Sequence, residues 1–575
     1  MVNLIIDDFE LSVPENTTIL DAARSVGLSI PTLCFLKGIN EVGGCRVCAV
    51  EVEGADHLVA SCTAVVAEGM VVKTNSAKAR EVRRTNVQLL LSQHDSECTS
   101  CVRSQNCSLQ SLANDLGIYS KPYEKNLPNE AWNTAFPLIR DNNKCIKCLR
   151  CIQVCEKVQT LGVWDISNRT IHASINVKGK KSIQESGCVI CGQCVVNCPT
   201  GALRERDDTE RVLKAIDDPQ KITLIQIAPS VRTSWGEELG LPREEATVER
   251  LAACLRKIGF DYIFDTDFAA DLTIMEEATE LINILSDGKE HKFPLFTSCC
   301  PGWVRFVKAR YPEFLPQLSS AKSPQQMFGA IAKSYYAEAL AVDSKDIYSV
   351  SAMPCIAKKE EAAYPSMNSA NGQDQDVDTV LTVRELGRMI KAAHIDVAQI
   401  AEEPLDTPLG FGSGAGTIFG TTGGVMEAAL RSAYNFITGE NPSVDTFETI
   451  RGEKGWREAA FELPGKKLNV AIAHGLNNAS ALLEAISTGA ASYDFVEVMA
   501  CPGGCVGGGG QPIHDGCNSV PDRMEVLRTL DNKSQIRFCH ENPMIIACYD
   551  NYLGERGSKR AHELLHTDHT AWSLV

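Results

Sequence analysis

The chain of 575 residues lacks any run of eighteen apolar residues, which excludes a helical membrane span. It has no low-complexity tract, and 44% of its residues are hydrophobic, as in an ordinary globular protein. Basic residues are in deficit, 56 Lys and Arg against 73 Asp and Glu, and the net charge of −17 speaks against nucleic acid as the main partner. No signal peptide is expected at the start, because Met1-Val-Asn-Leu-Ile-Ile-Asp-Asp-Phe-Glu-Leu-Ser-Val13 alternates as a hairpin does. These features predict a cytoplasmic protein. The length exceeds what one core accommodates, so roughly three to five domains are expected.

What the chain has in plenty is cysteine, 24 residues in all. In a small secreted domain these would suggest disulfides; here they fall in tight metal-ligand spacings, which favours metal. Near the amino terminus stand Cys34, Cys45, Cys48 and Cys62, with Gly43-Gly44 ahead of Cys45. A capped helix is expected at Asn16–Arg24, between the hairpin and this loop. The C-x2-C half also suits a zinc ribbon, but the glycine-lined loop favours iron and sulfur. His94 then precedes Cys98, Cys101 and Cys107, a one-histidine, three-cysteine set for which structural zinc is the rival.

Farther on the chain repeats itself. Cys145, Cys148, Cys151 and Cys155 recur as Cys188, Cys191, Cys194 and Cys198, both with C-x2-C-x2-C-x3-C spacing. This is the bacterial two-cluster ferredoxin run, in which the fourth cysteine of each run ligates the other cluster. One cluster is therefore expected on Cys145, Cys148, Cys151 and Cys198, the other on Cys188, Cys191, Cys194 and Cys155. Glu156 replaces the usual proline after the first run.

Beyond residue 207 cysteine thins out and strand–helix alternation begins, which implies parallel sheets flanked by helices. Strands are expected at Lys221–Ala228, Asp261–Phe264, Phe293–Thr297, Asp346–Met353 and Asp494–Met499, and helices at Val248–Ile258 and Ala270–Leu285. Three strands run directly into cysteine loops: Ser298-Cys299-Cys300-Pro301-Gly302-Trp303, Pro354-Cys355-Ile356-Ala357-Lys358-Lys359, and Ala500-Cys501-Pro502-Gly503-Gly504-Cys505 followed by Val506 and four glycines. Open α/β sheets bind ligands at the carboxyl ends of their strands. Cys300, Cys355, Cys501 and Cys505 could converge there as four thiolates for a cluster.

TSCCPGW, MPCIAKK and MACPGGCVGGGGQP resemble the three signature motifs of the [FeFe]-hydrogenases, and the likeness extends over the whole chain to the long clostridial type. It implies a multidomain α+β and α/β fold: a β-grasp [2Fe–2S] domain (1–78), a small one-histidine, three-cysteine cluster domain (79–125), a two-[4Fe–4S] ferredoxin-like domain (126–207) and a two-lobed catalytic domain (208–575). The implied cofactors are one [2Fe–2S] cluster, three accessory [4Fe–4S] clusters and an H-cluster. The last is a [4Fe–4S] cube on Cys300, Cys355, Cys501 and Cys505 joined to a diiron unit with CO, cyanide and an azadithiolate. Implied activity is reversible hydrogen formation with ferredoxin or flavodoxin as electron carrier, in a monomer loaded by maturation proteins.

The resemblance also implies site roles. Cys299 exchanges protons with the cofactor and passes them to Glu277, Ser319 and Glu280; the family's arginine four residues beyond is Ile284 here. Lys358 donates to a cyanide. Met353 and Met499 wall the diiron unit, Ala228, Pro229 and Ser230 touch a cyanide, and Ser323, Gln325 and Phe419 line the site. Without the resemblance, Glu277 and Glu280 would be two carboxylates on one helix face. Two further motifs stand out. The glycine-rich Ser413–Gly424 is expected to pack closely onto the cofactor, and His562-Glu-Leu-Leu-His566 fits the HExxH pattern of zinc proteases but resembles a structural terminal helix. Three other readings remain at this point: an electron-transfer subunit, a cluster-assembly relative, and the catalytic subunit of an NADH-linked bifurcating complex.

Overall fold

The computed structural model describes residues 1–125, 127, 130–286, 293–463 and 466–574. They form two compact units: Met1–Ser186 with Asn197–Arg204 and Ile513–Cys517, and Gly187–Val196 with Glu205–Pro512 and Asn518–Val575. The boundary expected at 207/208 is thus crossed. Gly187–Val196 packs within the second unit because Gly192 and Gly509 lack side chains: a Cβ on Gly192 would lie 2.7 Å from the Gly509 Cα. The Arg305 guanidinium fastens the same stretch by donating to the Cys188 carbonyl at 3.1 Å.

The first unit opens with the expected hairpin, strands β1 (Val2–Ile6) and β2 (Phe9–Val13). Thr18 caps the helix Ile19–Ser25, its hydroxyl accepting from the Asp21 N–H. With β3 (Ala49–Val52), β4 (Val59–Ala60) and β5 (Met70–Lys73) the sheet order is β2-β1-β5-β3-β4. β1 and β5 run parallel and the other pairs antiparallel. Helices Ala77–Ser92 and Ser108–Asp115 lead to two short ribbons, β6 (Leu138–Arg140) with β9 (Leu203–Glu205), and β7 (Trp164–Ser167) with β8 (Ser174–Val177).

The second unit holds two four-stranded sheets. One is all parallel: β11 (Tyr262–Asp265), β10 (Ile222–Ile227), β13 (Ile347–Met353) and β14 (Thr379–Thr382). The other orders β12 (Leu295–Phe296), β17 (Phe495–Met499), β16 (Lys466–His474) and β15 (Trp456–Leu463), with only β15 antiparallel. Ile222–Ile227, mostly apolar but for Thr223 and Gln226, is buried at five of its six positions, as strands covered on both faces are. β12 is shorter than Phe293–Thr297, since Pro294 has no N–H to offer a ladder. The helix expected at 270–285 begins earlier, at Thr266, directly from β11, and is buried along most of its length. Among the described residues, no helix is long and apolar enough to cross a membrane.

Candidate active site

In the two four-stranded sheets, parallel strands end at the loops that carry the candidate site cysteines. β12 delivers Cys299 and Cys300, β13 delivers Cys355, and β17 delivers Cys501. Two glycines then return the chain to Cys505. Gly504, at φ +92°, leaves no room for a Cβ, which would lie 2.7 Å from the Thr422 nitrogen; a Cβ on Gly508 would lie 2.2 Å from the Pro354 carbonyl. The loop therefore presses its bare backbone onto the loop bearing Cys355.

Between them is a cavity of about 80 Å³. Cys299, Cys300, Cys355, Cys501 and Cys505 border it, with Lys358 and Gln325. Ala228, Pro229, Ser230, Met353, Phe419 and Met499 supply the rest of the expected wall. Thr266 and Pro301 also line it, neither expected as wall, and so does Gly420 of the glycine-rich segment expected to pack onto the cofactor. Ser323 does not line it; its hydroxyl donates to Glu361 Oε2 at 3.0 Å. Glu361 is the anionic partner a buried lysine needs: the Lys358 ammonium donates to it at 2.8 Å and to the Cys299 carbonyl at 3.1 Å.

The donor set fits an iron–sulfur cluster with anionic ligands. Burial pushes the Cys355 thiol up to about 12 and raises Cys300, Cys501 and Cys505 as well. Neighbouring thiols add to the rise at Cys501 and Cys505. Four such thiolates sit together only around a strongly positive metal centre, which an iron–sulfur cube supplies. The buried Ser230 hydroxyl has no hydrogen-bond partner among the described residues, and so is free to donate into the cavity.

From Cys299 a row of polar groups leads away. Burial raises its thiol, and the Glu277 carboxyl beside it adds to the effect. Burial, then the Glu280 charge, pushes Glu277 up to about 8, while contact with Ser319 works the other way. The Ser319 hydroxyl donates to Glu280 Oε2 at 2.6 Å. Ile284, partly buried, packs against an apolar cluster of the core.

The first unit holds most of the residues expected to bind accessory clusters. Cys48 and Cys62 have sulfurs 3.3 Å apart, and paired thiol contacts to Cys62 and Cys34 lower Cys48 and Cys45 to about 6. His94 is buried and its Nδ1 lacks a partner among the described residues; burial lowers its pKa, while the Lys144 backbone works the other way. That is the pose of a histidine whose second nitrogen is reserved for metal. Of its companions Cys98, Cys101 and Cys107, the last has its sulfur 3.7 Å from the Pro199 carbonyl. Cys145, Cys148, Cys151 and Cys198 line a separate cavity of about 30 Å³, as the crossed ferredoxin pattern requires. Cys155 accepts from the Val163 N–H at 3.4 Å and belongs to this unit, whereas Cys188, Cys191 and Cys194 belong to the other.

Sequence reasoning missed Asn40 and Arg150, since each has a partner more than a hundred residues away. The Asn40 amide donates to the carbonyls of Cys34 and Cys148 at 2.6 and 2.9 Å, and Arg150 donates to Phe35 at 2.9 Å and to Asp515 at 2.6 Å. The glycine-rich segment packs closely, but largely onto protein: a Cβ on Gly416 would strike Asp267 and one on Gly414 would strike Asp531, while Phe419 and Gly420 reach the cavity. The HExxH histidines do not converge on a metal position, because both ring nitrogens of His566 are engaged by Ser320 and Glu276.

Comparison with known proteins agrees with this geometry. Residues 221–509 match the family described as iron only hydrogenase large subunit, C-terminal domain, and residues 519–572 match iron hydrogenase small subunit. Residues 1–77 match a 2Fe-2S iron-sulfur cluster binding domain, 83–122 the NADH-ubiquinone oxidoreductase-G iron-sulfur binding region, and 144–202 a 4Fe-4S dicluster domain. The NADP-reducing hydrogenase subunit HndD of Solidesulfovibrio fructosivorans is 46% identical over 99% of this chain and 98% of its own. Iron hydrogenase 1 of Clostridium pasteurianum is 40% identical over 98% and 99%. A solved variant of the apo [FeFe]-hydrogenase HydA1 from Chlamydomonas reinhardtii, with one cysteine replaced by histidine, shares 41% identity over 63% of this chain and 98% of its own, with a TM-score of 0.57. With a hydrogenase family spanning half of its length and relatives matched almost end to end, the chain belongs to the [FeFe]-hydrogenases and carries accessory iron–sulfur domains.

Proposed function

We propose that the protein catalyses reversible formation of hydrogen from protons at an H-cluster held by Cys300, Cys355, Cys501 and Cys505, with reduced ferredoxin or flavodoxin as electron donor. One observation carries this reading: a fifth thiol, Cys299, borders the same cavity and begins a buried row of proton-bearing groups. A pure electron carrier needs neither that cavity nor that row, and a cluster-assembly protein needs no fifth thiol. When bound, the cofactor supplies an open iron position at which hydrogen is made or split.

The protein's own residues do the rest. Lys358, fixed by Glu361, presents positive charge to anionic ligands. Ser230 offers a hydrogen bond from the opposite wall, and Met353, Met499 and Phe419 exclude water with soft apolar surface. Cys299 remains a thiol, so it can carry a proton, which a thiolate committed to iron cannot. Glu277, Ser319 and Glu280 continue the transfer outward. The domains proposed upstream are a β-grasp [2Fe–2S] module (1–78), a one-histidine, three-cysteine module (79–125) and a two-cluster ferredoxin-like module (126–207), which together feed electrons to the catalytic domain (208–575).

A second reading concerns the electron partner. The relative from Solidesulfovibrio is named as a subunit of an NADP-reducing hydrogenase, which favours a nicotinamide-linked complex over free ferredoxin. Infrared spectroscopy of anaerobically matured protein tests the chemistry: CO and cyanide bands that respond to hydrogen are expected. Their absence after co-expression with maturation enzymes, in protein with full cubane iron, would sink the reading. Hydrogen-driven reduction of ferredoxin against NADP by the purified chain tests the partner.

A further inference from the structure

Glu280 ends the expected proton row, and Ile284, one helical turn beyond it, has no proton to give. Hydrogen bonds nevertheless continue outward. Glu280 Oε1 accepts from the Ser320 N–H at 3.2 Å and from the Ser320 hydroxyl at 3.1 Å. The same hydroxyl lies 2.8 Å from Nδ1 of His566. Across the ring, His566 Nε2 is 3.0 Å from Oε2 of Glu276, which also accepts from the Gly557 N–H at 3.1 Å, while the Tyr549 hydroxyl donates to Oε1. The two side chains are only 7% and 1% exposed.

The carboxyl-terminal segment sets this position. Thr567 N–H donates to the Ser320 carbonyl and Lys322 N–H to the Leu565 carbonyl, each at 2.8 Å, which holds His566 opposite Ser320. Outside, the exposed His562 ring stacks on His566 with centroids 4.7 Å apart and planes within 4°.

We infer that His566 is the proton carrier that follows Glu280, reached through the Ser320 hydroxyl, in the place where Ile284 offers none. The inference rests on the hydrogenase reading above. In the outward direction the acid form of Glu280 gives its proton to Ser320 Oγ as the Ser320 hydroxyl proton passes to Nδ1. A carboxylate and an imidazolium result, and Glu276 faces the new positive charge. Water at the edge beside His562 then takes the proton from the imidazolium; no electron moves. Hydrogen formation runs the same steps inward.

The rival is an ion pair that merely pins the terminal segment. Full-length, fully matured His566→Ala and His566→Gln proteins are compared with wild type, with Cys299→Ser as the control for the row itself. His566→Ala is expected to lower turnover by roughly tenfold or more, to leave the CO and cyanide bands in place and to recover when imidazole is added. The exposed His562→Ala variant, which leaves the core untouched, is expected to give a smaller loss. Wild-type turnover in His566→Ala, or a loss that imidazole does not restore while His566→Gln is fully active, would overturn the proposal. If Cys299→Ser were also fully active, the hydrogenase row would fail rather than this extension alone. A readout independent of turnover is nitrogen-15 NMR of histidine-labelled, cofactor-free protein. An unprotonated, hydrogen-bonded Nδ1 in the neutral His566 ring is expected, and a fixed proton on Nδ1 would overturn the relay.

Discussion

The sulfur of Cys501 lies 3.7 Å from the carbonyl oxygen of Cys191, although 310 residues separate them. Cys191 belongs to the second ferredoxin-type run and Cys501 borders the cavity, so the backbone of one proposed accessory ligand touches the sulfur of a proposed active-site ligand. Gly192, next in the chain, makes this approach possible. Its φ is +72°, and a Cβ there would lie 2.7 Å from Gly509 and 2.8 Å from Ile356.

Gly192→Val should therefore part the two loops, at a local cost of about 1–3 kcal/mol for a branched residue in the left-handed region. Hydrogen evolution driven by an external electron donor is expected to fall. Hydrogen–deuterium exchange at the cofactor, which consumes no net electrons, is expected to persist. Equal loss of both would mean that the contact is only structural.

Cys299→Ser keeps the shape of the cavity and replaces a thiol by a far weaker acid. Turnover should drop by roughly a hundredfold or more, since proton transfer at a fixed geometry is worth that much. Infrared bands of the cofactor should remain, because Cys299 is outside the four-thiolate set. Unchanged turnover would remove Cys299 from the proton route.

Glu277 should leave a signature in stability as well as in rate. Burial lifts it from the ordinary 4.5 to about 8, so between those values the folded protein holds a proton that the unfolded chain has lost. Stability must then fall as pH rises through that window. Glu277→Gln should flatten this slope in denaturant titrations of cofactor-free protein and reduce turnover of the matured enzyme. An identical slope in both proteins would place Glu277 outside its buried, protonated role.

Replacing His94 by alanine should cost one cluster's worth of iron and leave the rest, as read by iron analysis and electron paramagnetic resonance. His94→Cys should restore the iron but lower the potential of that cluster, because thiolate adds negative charge where imidazole had none. Full iron content in the alanine variant would mean that the orphaned Nδ1 is not a ligand.

Much of this site was legible because cluster ligands are local grammar. C-x2-C spacing, the doubled C-x2-C-x2-C-x3-C run and glycines beside cysteines follow from how few residues can wrap a cube of iron and sulfur. Strand ends before Cys299, Cys355 and Cys501 were visible for a similar reason: buried parallel strands are predominantly apolar runs. Glu277 and Glu280 were not legible from the residues. Two carboxylates on a helix usually face water, and only the likeness to a family set them apart.

Sequence alone determined the candidate ligand set, the alternation of strands and helices and the glycine-rich loop, since each depends on neighbours a few residues apart. Tertiary structure decided what distant segments do to one another. It placed Glu361 under Lys358, turned Ser323 toward Glu361 rather than the cavity, carried the loop of Cys188 to Cys194 across the boundary expected at 207, and brought His566 to Ser320. Burial is the physical reason. An isolated histidine or glutamate looks solvated in the sequence, and only packing determines whether water or another side chain completes its hydrogen bonds.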